Sequence, residues 1–293
     1  MTERKFSFGV FGDGPYFPEE QDRFERLLED VRRSDIDWWI HIGDLLWNPC
    51  TDDALEERLA QLRSAAKPLV YTPGDNEWTD THDERVGAHD PLDRLSGIRR
   101  IFFCNPSLEV RGEAVEVRCQ SSDERFPEFC ENARWEYGGF VFATVHVVGS
   151  NNGRAMFASR TAAHDEEVER RTTAAVQWID DAFATAARGN ARGLVLAMHA
   201  NIGLERDGSR GDAFDRILED LENNLLYYSK PVLVIHGDSH THRTDNPFRD
   251  RSGRIMTNLT RLEAFGSPDI GWVRVVVAAD GIKEIEPRLI LEE

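Results

Sequence analysis

Residues 231–242 read PVLVIHGDSHTH, an apolar run that ends at Gly237 and continues into Asp238, His240 and His242. Side chains two residues apart on an extended segment point the same way, so these three side chains could converge on one point. A buried β-strand that stops at a glycine and then presents carboxylate and imidazole groups is typical of a metal site. A polar turn after a core strand is the alternative, and this stretch alone leaves both interpretations open.

The composition is that of an ordinary globular protein, since 40% of the 293 residues are hydrophobic and 30% are charged. No stretch approaches the roughly 18 uninterrupted apolar residues of a membrane span. The first ten residues, MTERKFSFGV, lack the apolar core of a secretory signal. We therefore expect a cytoplasmic protein that has no membrane partner, and the sequence indicates no oligomeric state.

The charge balance disfavours nucleic acid as a partner. The chain has 35 basic and 53 acidic residues, which gives a net charge of −18. No basic face large enough to follow a phosphate backbone is evident. An acidic protein is compatible instead with a small substrate held by metal ions, because the ions supply positive charge locally.

The four cysteines are spaced irregularly, with no CxxC pair: Cys50, Cys104, Cys119 and Cys130. This spacing disfavours a zinc ribbon or a thioredoxin-like redox site. We favour free, partly buried thiols in a chain without a secretory signal. A disulfide among the last three is the alternative.

Three apolar runs near the start of the chain predict β-strands at about 5–12, 36–42 and 67–72. Apolar residues at helical spacing predict helices between them, at about 19–33 and 52–65. The strands end at Asp13, Asp44 and Asp75, and each step (13 to 44, 44 to 75) is 31 residues. That length is close to one βαβ unit.

The alternation of strands and helices resumes after an irregular segment at about 80–135. The later strands are predicted at about 140–148, 194–198, 231–235, 254–256, 271–278 and 282–290. The other predicted helices are at about 91–103, 164–187 and 212–228. We expect one α/β domain over residues 1–293, with 80–135 as an insertion over the top of the fold.

Five of the predicted strands end in side chains that can bind metal. These side chains are Asp13, Asp44, Asp75, His199 and the pair Asp238 and His240. Each one alone is more simply explained as a helix cap or a turn residue. Ligands gather at the carboxyl ends of strands in α/β sheets, so five such endings together favour a shared metal site.

The same residues lie in five blocks, FGDGPY, IGDLLW, PGDNEW, LAMHAN and HGDSH, which run in order from Asp13 to His240. The order resembles the signature of the calcineurin-like metallophosphoesterases, the superfamily that includes purple acid phosphatases. It is most similar to a bacterial branch in which the third block reads PGDNEW. The resemblance implies a four-layer αββα fold, in which helices flank a sandwich of two β-sheets.

The resemblance also implies two divalent metal ions and a role for each ligand. Asp13 and His240 would bind the first ion, and Asp44 would bridge both ions. The second ion would be held by Asp75, His199 and Asp238. Carboxylate and imidazole ligands suit Mn, Fe, Zn or Mg, and the sequence does not choose among them.

The first block departs from the family pattern at the first metal site. Pro15 stands where many members carry a metal-binding histidine. Purple acid phosphatases, which also lack that histidine, have a tyrosine three residues after the bridging aspartate, where this chain has Trp47. Water or an unidentified ligand, for which His242 is a candidate, would then complete the site.

The third block departs at the catalytic position, where Asn76 replaces the family's histidine. Asparagine can donate a hydrogen bond to a phosphate oxygen but cannot act as an acid near neutral pH. His82 could fold over the site and act as the acid, or it could be an ordinary surface histidine. Asn76 could also be the ligand, with Asp75 as a spacer.

Asn151 and Asn152 follow a predicted strand in the stretch GSNNG. They could contact substrate as neutral donors, and a tight turn is an equally good explanation.

These features together predict a metal-dependent hydrolase of phosphomonoesters or phosphodiesters that uses a water activated by two ions. The substrate would be a small phosphorylated molecule. The alternative is a degenerate site that holds one ion and binds phosphate or a phosphoester without turnover.

Overall fold

The computed structural model describes residues 5–103, 107–208 and 210–292. Over these residues the strands, numbered along the chain, are β1 (Phe6–Phe11), β2 (Trp38–His41), β3 (Leu69–Tyr71), β4 (Leu108–Val110), β5 (Glu113–Val115), β6 (Val117–Cys119), β7 (Ala133–Tyr137), β8 (Phe140–Thr144), β9 (Gly193–Ala197), β10 (Val232–His236), β11 (Arg243–Asp245), β12 (Leu259–Glu263), β13 (Gly271–Ala278) and β14 (Gly281–Leu289). The longer helices are α1 (Gln21–Arg33), α2 (Asp52–Arg63), α3 (Pro91–Phe102), α4 (Ala162–Arg188) and α5 (Asp215–Tyr227).

Local sequence signals account for where several helices begin. The Thr51 hydroxyl accepts a hydrogen bond from the Ala54 N–H at the start of α2 (3.3 Å). At the start of α3, the Asp90 carboxylate accepts a hydrogen bond from the Leu92 N–H (2.8 Å), and Pro91 occupies the first helical position. Short polar side chains at the cap and proline just inside are the usual way to satisfy a helix start.

Two mixed sheets form the centre of the fold. The first has the strand order β14-β13-β1-β2-β3, in which β1, β2 and β3 are parallel. The second has the order β11-β12-β10-β9-β8-β7-β6, in which β12, β10, β9 and β8 are parallel. The hairpin β4-β5 forms a separate two-stranded sheet.

Three apolar clusters show that the layers are stacked as helix, sheet, sheet and helix. The inner faces of the two sheets pack together, with Phe8 of β1 edge-on to Phe142 of β8 at 5.5 Å between ring centroids. Helices α1, α2 and α3 cover the outer face of the first sheet. Helices α4 and α5 cover the outer face of the second sheet. This arrangement confirms the predicted αββα sandwich.

Two predictions about secondary structure were wrong in detail. Residues 254–256 do not form a strand, and Ile255 makes one isolated bridge to Arg249. The strand lies instead at β12, which pairs parallel to β10. In addition, β6 and part of β7 lie within 80–135 and pair at the edge of the second sheet, so this segment is not entirely an insertion over the fold.

Three cysteines, Cys50, Cys119 and Cys130, are free thiols. Cys104 lies outside the described residues, so the alternative of a disulfide that includes it stays a prediction. No helix among the described residues is both long and apolar enough to cross a bilayer.

Candidate metal centre

The predicted ligands lie together at one edge of the two sheets, just beyond the carboxyl ends of five strands. Strands β1, β2 and β3 of the first sheet and strands β9 and β10 of the second lead to them. The residues that follow these strands and approach one another are Asp13, Asp44, Asp75, His199, Asp238 and His240. The structure therefore brings together, at the carboxyl ends of the strands, the six side chains that the sequence singled out.

The backbone is left-handed at four of these six positions. The φ angle is 55° at Asp13, 56° at Asp44, 71° at Asp238 and 56° at His240. For a residue other than glycine, this conformation costs about 1–2 kcal/mol and persists only where the surrounding structure enforces it. At Asp13, two hydrogen bonds enforce the left-handed conformation. Its N–H donates to Gly43 O (3.1 Å), and its carbonyl accepts from the Ser267 N–H (2.8 Å). Such strain is common at functional sites.

Asp13, Asp44 and His199 form a first ligand group, with ligand atoms within 4.8 Å of one another. His240 lies beside it, with Nε2 3.8 Å from Asp13 Oδ1. Asp44 Oδ1 is 3.4 Å from His199 Nε2, whereas Asp44 Oδ2 accepts a hydrogen bond from the Tyr16 hydroxyl (2.8 Å). The two oxygens of Asp44 therefore face different neighbours.

Asp75, His199 and Asp238 form a second ligand group that meets the same distance limit. Asp75 Oδ1 is 2.9 Å from His199 Nε2. The Asn201 N–H donates to Asp238 Oδ2 (3.1 Å), which fixes that carboxylate. Asp75 presents a carboxylate oxygen to His199, whereas Asn76 contacts Asp44 through its backbone N–H, so this geometry favours Asp75 as the candidate ligand.

Backbone carbonyls orient both histidines. His199 Nδ1 lies 3.0 Å from Ile42 O, and His240 Nδ1 lies 2.7 Å from Ser267 O. A carbonyl oxygen can only accept, so Nδ1 carries the proton in each ring. Nε2 of each ring is then directed at carboxylate oxygens. Histidines that bind metal are commonly held in this way, with one ring nitrogen donating to a protein oxygen and the other free to bind the ion.

The charges at the centre are poorly balanced by the protein itself. Burial raises the pKa of Asp13 to about 8 and raises the pKa of Asp44 well above its usual value. Burial opposes the charged form of His199, but the carboxylates of Asp44 and Asp75 outweigh burial and raise its pKa well above the usual value. A buried group of several carboxylates with one imidazole attracts protons or cations.

Two further observations show that the residues fit bound cations. Asp13 Oδ2 is buried and has no hydrogen-bond partner, although it lies among ligand atoms. Glycines surround the predicted ligands at positions where a larger residue would not fit. A Cβ at Gly149 would lie 2.6 Å from Asp75 Oδ2, and one at Gly266 would lie 2.7 Å from Asp13 Cβ. Gly74 and Gly237 approach Asp44 and Asp13 even more closely. The donor set is the one preferred by divalent Mn, Fe, Zn or Mg.

Tyr16 was missed in the sequence. Its hydroxyl donates to Asp44 Oδ2 and lies 3.4 Å from His240 Nε2, so it belongs to the first site. His242, which was one candidate to complete that site, lies outside both ligand groups. Its Nδ1 contacts Glu263 O (2.8 Å), and its ring stacks on Phe265 with centroids 4.4 Å apart. A tyrosine three residues after Asp13 was the available signal.

Asn76 and His82 occupy different surroundings. The Asn76 N–H donates to Asp44 Oδ1 (3.0 Å), which places this residue beside the Asp44 carboxylate. His82 stacks on Phe157 with ring centroids 4.4 Å apart, and its Nδ1 lies 2.7 Å from Thr79 O. The ring of His82 would have to leave Phe157 to act on a substrate at the centre.

The GSNNG stretch forms a left-handed turn, with φ of 48° at Ser150 and 57° at both Asn151 and Asn152. Asn151 is exposed. Asn152 is fully buried, and its side-chain oxygen accepts from Arg171 (2.5 Å) while its side-chain nitrogen donates to Thr172 Oγ1 (3.1 Å). The tight turn, one of our two interpretations of this stretch, is what the structure shows, and the buried side chain of Asn152 supports that turn. A substrate contact by Asn151 stays a prediction.

Comparison with known proteins agrees with this geometry. The sequence pattern of the calcineurin-like phosphoesterases matches residues 17–242, and the chain therefore belongs to that family. The match does not include Asp13 or Tyr16. No curated protein matches the chain.

Two solved structures are among those to which the chain is similar. The protein TT1561 of Thermus thermophilus is 10% identical, covers 98% of this chain and 100% of its own, and gives a TM-score of 0.49. A novel phosphatase from Mycoplasma pneumoniae is also 10% identical, covers 99% of this chain and 95% of its own, and gives a TM-score of 0.48. Similarities this distant carry no conclusion about activity.

Proposed function

We propose that the protein hydrolyses phosphoester bonds of a small phosphorylated substrate, either a monoester or a diester, with the help of two divalent metal ions. The observation that carries the proposal is the position of Asp44. Its Oδ1 lies 3.4 Å from His199 Nε2, which belongs to both ligand groups, and its Oδ2 faces Tyr16, beside His240. A carboxylate that lies between the residues of two ligand groups, with its oxygens facing different neighbours, is suited to bridging a pair of ions.

The ligands would divide between the two ions. Asp13 and His240 would hold the first ion, and Asp44 would bridge. Asp75, His199 and Asp238 would hold the second. When bound, such ions neutralise phosphoryl oxygens and lower the pKa of water to a usable range.

The remaining side chains would handle the substrate. Asn76, beside Asp44, and the exposed Asn151 are suited to donate hydrogen bonds to phosphate oxygens. Arg210 donates to Ser239 Oγ (3.0 Å), next to Asp238, and so brings a positive charge to the rim of the site. We keep His82 as the proposed proton donor to the leaving group.

The test combines metal analysis with one substitution. We expect close to two ions per chain and measurable hydrolysis of a generic phosphodiester or phosphomonoester. Asp44→Asn keeps the shape but removes the bridging charge, so turnover should fall by about 100-fold or more. Asp93→Asn, an exposed carboxylate at the start of α3, is the matched control and should keep full activity.

Full activity in the Asp44→Asn protein would refute the proposal. The alternative is a protein that binds phosphate without turnover, as the altered first and third blocks also allow. In that case we would find one bound ion and tight binding of inorganic phosphate, but no hydrolysis of any ester in a broad panel.

A further inference from the structure

The first metal site of the proposed hydrolase has fewer family ligands than the second. Asp13, Asp44 and His240 are its predicted side chains, and Pro15 and Trp47 stand at the positions from which relatives supply another. His242 is held against Phe265 and the Glu263 carbonyl, so it does not fill the gap. The first site therefore has room for a donor atom from another part of the chain or from solvent.

The Tyr16 hydroxyl lies where such a donor is needed. Its oxygen is 2.8 Å from Asp44 Oδ2 and 3.4 Å from His240 Nε2. Ligand atoms that share a tetrahedral cation at bond lengths of about 2 Å lie about 3.3 Å apart. The separation from His240 is close to this value, which is the spacing expected of two ligands of one ion, whereas the shorter separation from Asp44 Oδ2 is that of a hydrogen bond.

The surrounding structure holds Tyr16 in this position. Its N–H donates to Glu20 Oε2 (2.7 Å), and the Gly14 N–H donates to Asp44 O (2.9 Å). The carbonyl of Pro15 accepts from Arg58 (3.2 Å). The turn after β1 is thus tied to the bridging residue's own backbone, so the phenol is directed at the first site before any ligand binds.

We infer that Tyr16 is a ligand of the first metal ion, bound through its phenolate oxygen, with the phenolic proton released to solvent. This assignment rests on the proposed two-ion centre and adds a residue that the family pattern does not supply at this position. The alternative is a neutral phenol that only hydrogen-bonds Asp44 and orients it.

The two roles are distinguished by titrating the metal-free protein with Zn²⁺, which is colourless and has no redox chemistry. We expect the ultraviolet difference band of tyrosinate to grow with one of the two ions bound. Tyr16→Phe should lose this band and bind that ion about 10–100-fold more weakly. Tyr16→His should restore binding without the band, because imidazole is also a good ligand.

Tyr228→Phe is the matched control, since this buried tyrosine packs on Phe183 of α4, away from the centre. It should keep both the band and the affinity. Two Zn²⁺ ions bound without any tyrosinate band would overturn the inference. A band with two bound ions in a protein that hydrolyses no ester would leave the inference intact and refute only the proposed hydrolysis.

Discussion

Asp220 on α5 lies close to Asp180 on α4, and the Asn224 side-chain nitrogen lies 2.7 Å from Asp180 Oδ1 and 3.4 Å from Asp220 Oδ2. Burial, together with the charge of Asp180, raises the pKa of Asp220 from 3.8 to about 8. Between these values the folded chain holds a proton that the unfolded chain has released. The stability of the fold therefore falls as the pH rises from about 4 to about 8.

We predict that Asp220→Asn removes this pH dependence. The variant should unfold at higher urea concentration than the parent at pH 8, and the difference should fall steadily toward pH 4 and vanish only below the unfolded pKa of 3.8, where both states of the parent are protonated. Urea unfolding over a pH series measures this. Glu219→Gln, an exposed neighbour paired with Arg251, should change stability by no more than about 0.5 kcal/mol at any pH. An Asp220→Asn protein less stable than the parent at pH 8 would contradict the prediction.

Some residues of the candidate site could be predicted from the sequence, and others could not. The six carboxylate and histidine side chains follow apolar runs, so their meeting was predictable from strand ends alone. The sequence shows a tyrosine three residues after Asp13 but does not show that its turn is tied to the backbone of Asp44, so we did not place Tyr16 at the site. For Asn152 the sequence left a substrate contact and a turn open, because only the packing of α4 brings Arg171 to its side chain.

The left-handed turn at 149–153 depends on one residue of helix α4, Arg171. Arg171 of α4 is buried, and it donates to Asn152 Oδ1 (2.5 Å), to Asn152 O (2.9 Å) and to Glu167 Oε1 (2.8 Å). Three consecutive non-glycine residues with positive φ need such external support. Gly149 of this turn has no room for a Cβ beside Asp75 and Asp238, so the support extends to the second ligand group.

We predict that Arg171→Met destabilises the protein by about 3–5 kcal/mol, since it leaves Glu167 and Asn152 without their buried partner. Hydrolysis should fall as well, because the turn would no longer be held against the second group. Arg170→Met, one residue earlier and largely exposed beside Glu128, should cost about 1 kcal/mol or less. Equal urea midpoints for the two variants would show that Arg171 does not support the turn.

The elements themselves were predictable where hydrophobicity alone determines them. The apolar runs of β1, β2 and β10 and the apolar face of α1 were predicted correctly. β12 was missed because it carries charged residues into the interior. Arg261 is buried with Asp245 and Glu205 as partners, and Glu263 is buried with Arg243. Hydrophobic periodicity cannot detect a strand whose interior positions are ion pairs.

For the whole molecule, the buried carboxylates of the centre should make stability depend on metal. Ions that bind the folded chain alone stabilise it by about 4 kcal/mol at roughly 1,000 times the dissociation constant. We therefore predict that a chelator lowers the unfolding temperature and that Mn²⁺ or Zn²⁺ restores it. The Asp44→Asn variant should show a clearly smaller difference between chelator and metal in thermal unfolding. Identical unfolding temperatures for the parent chain in both conditions would contradict a folded-state metal site.

The pairing of β1 with β13 has a consequence for synthesis on the ribosome. Phe6 at the start of β1 pairs with Val277, near the other end of the chain. Until that late segment emerges, β1 can pair with β2 on one side only, and its other edge stays open. An open edge on a strand as apolar as FSFGVF invites association between nascent chains. Completion of the first sheet, and with it the orientation of Asp13, must therefore be among the last steps of folding.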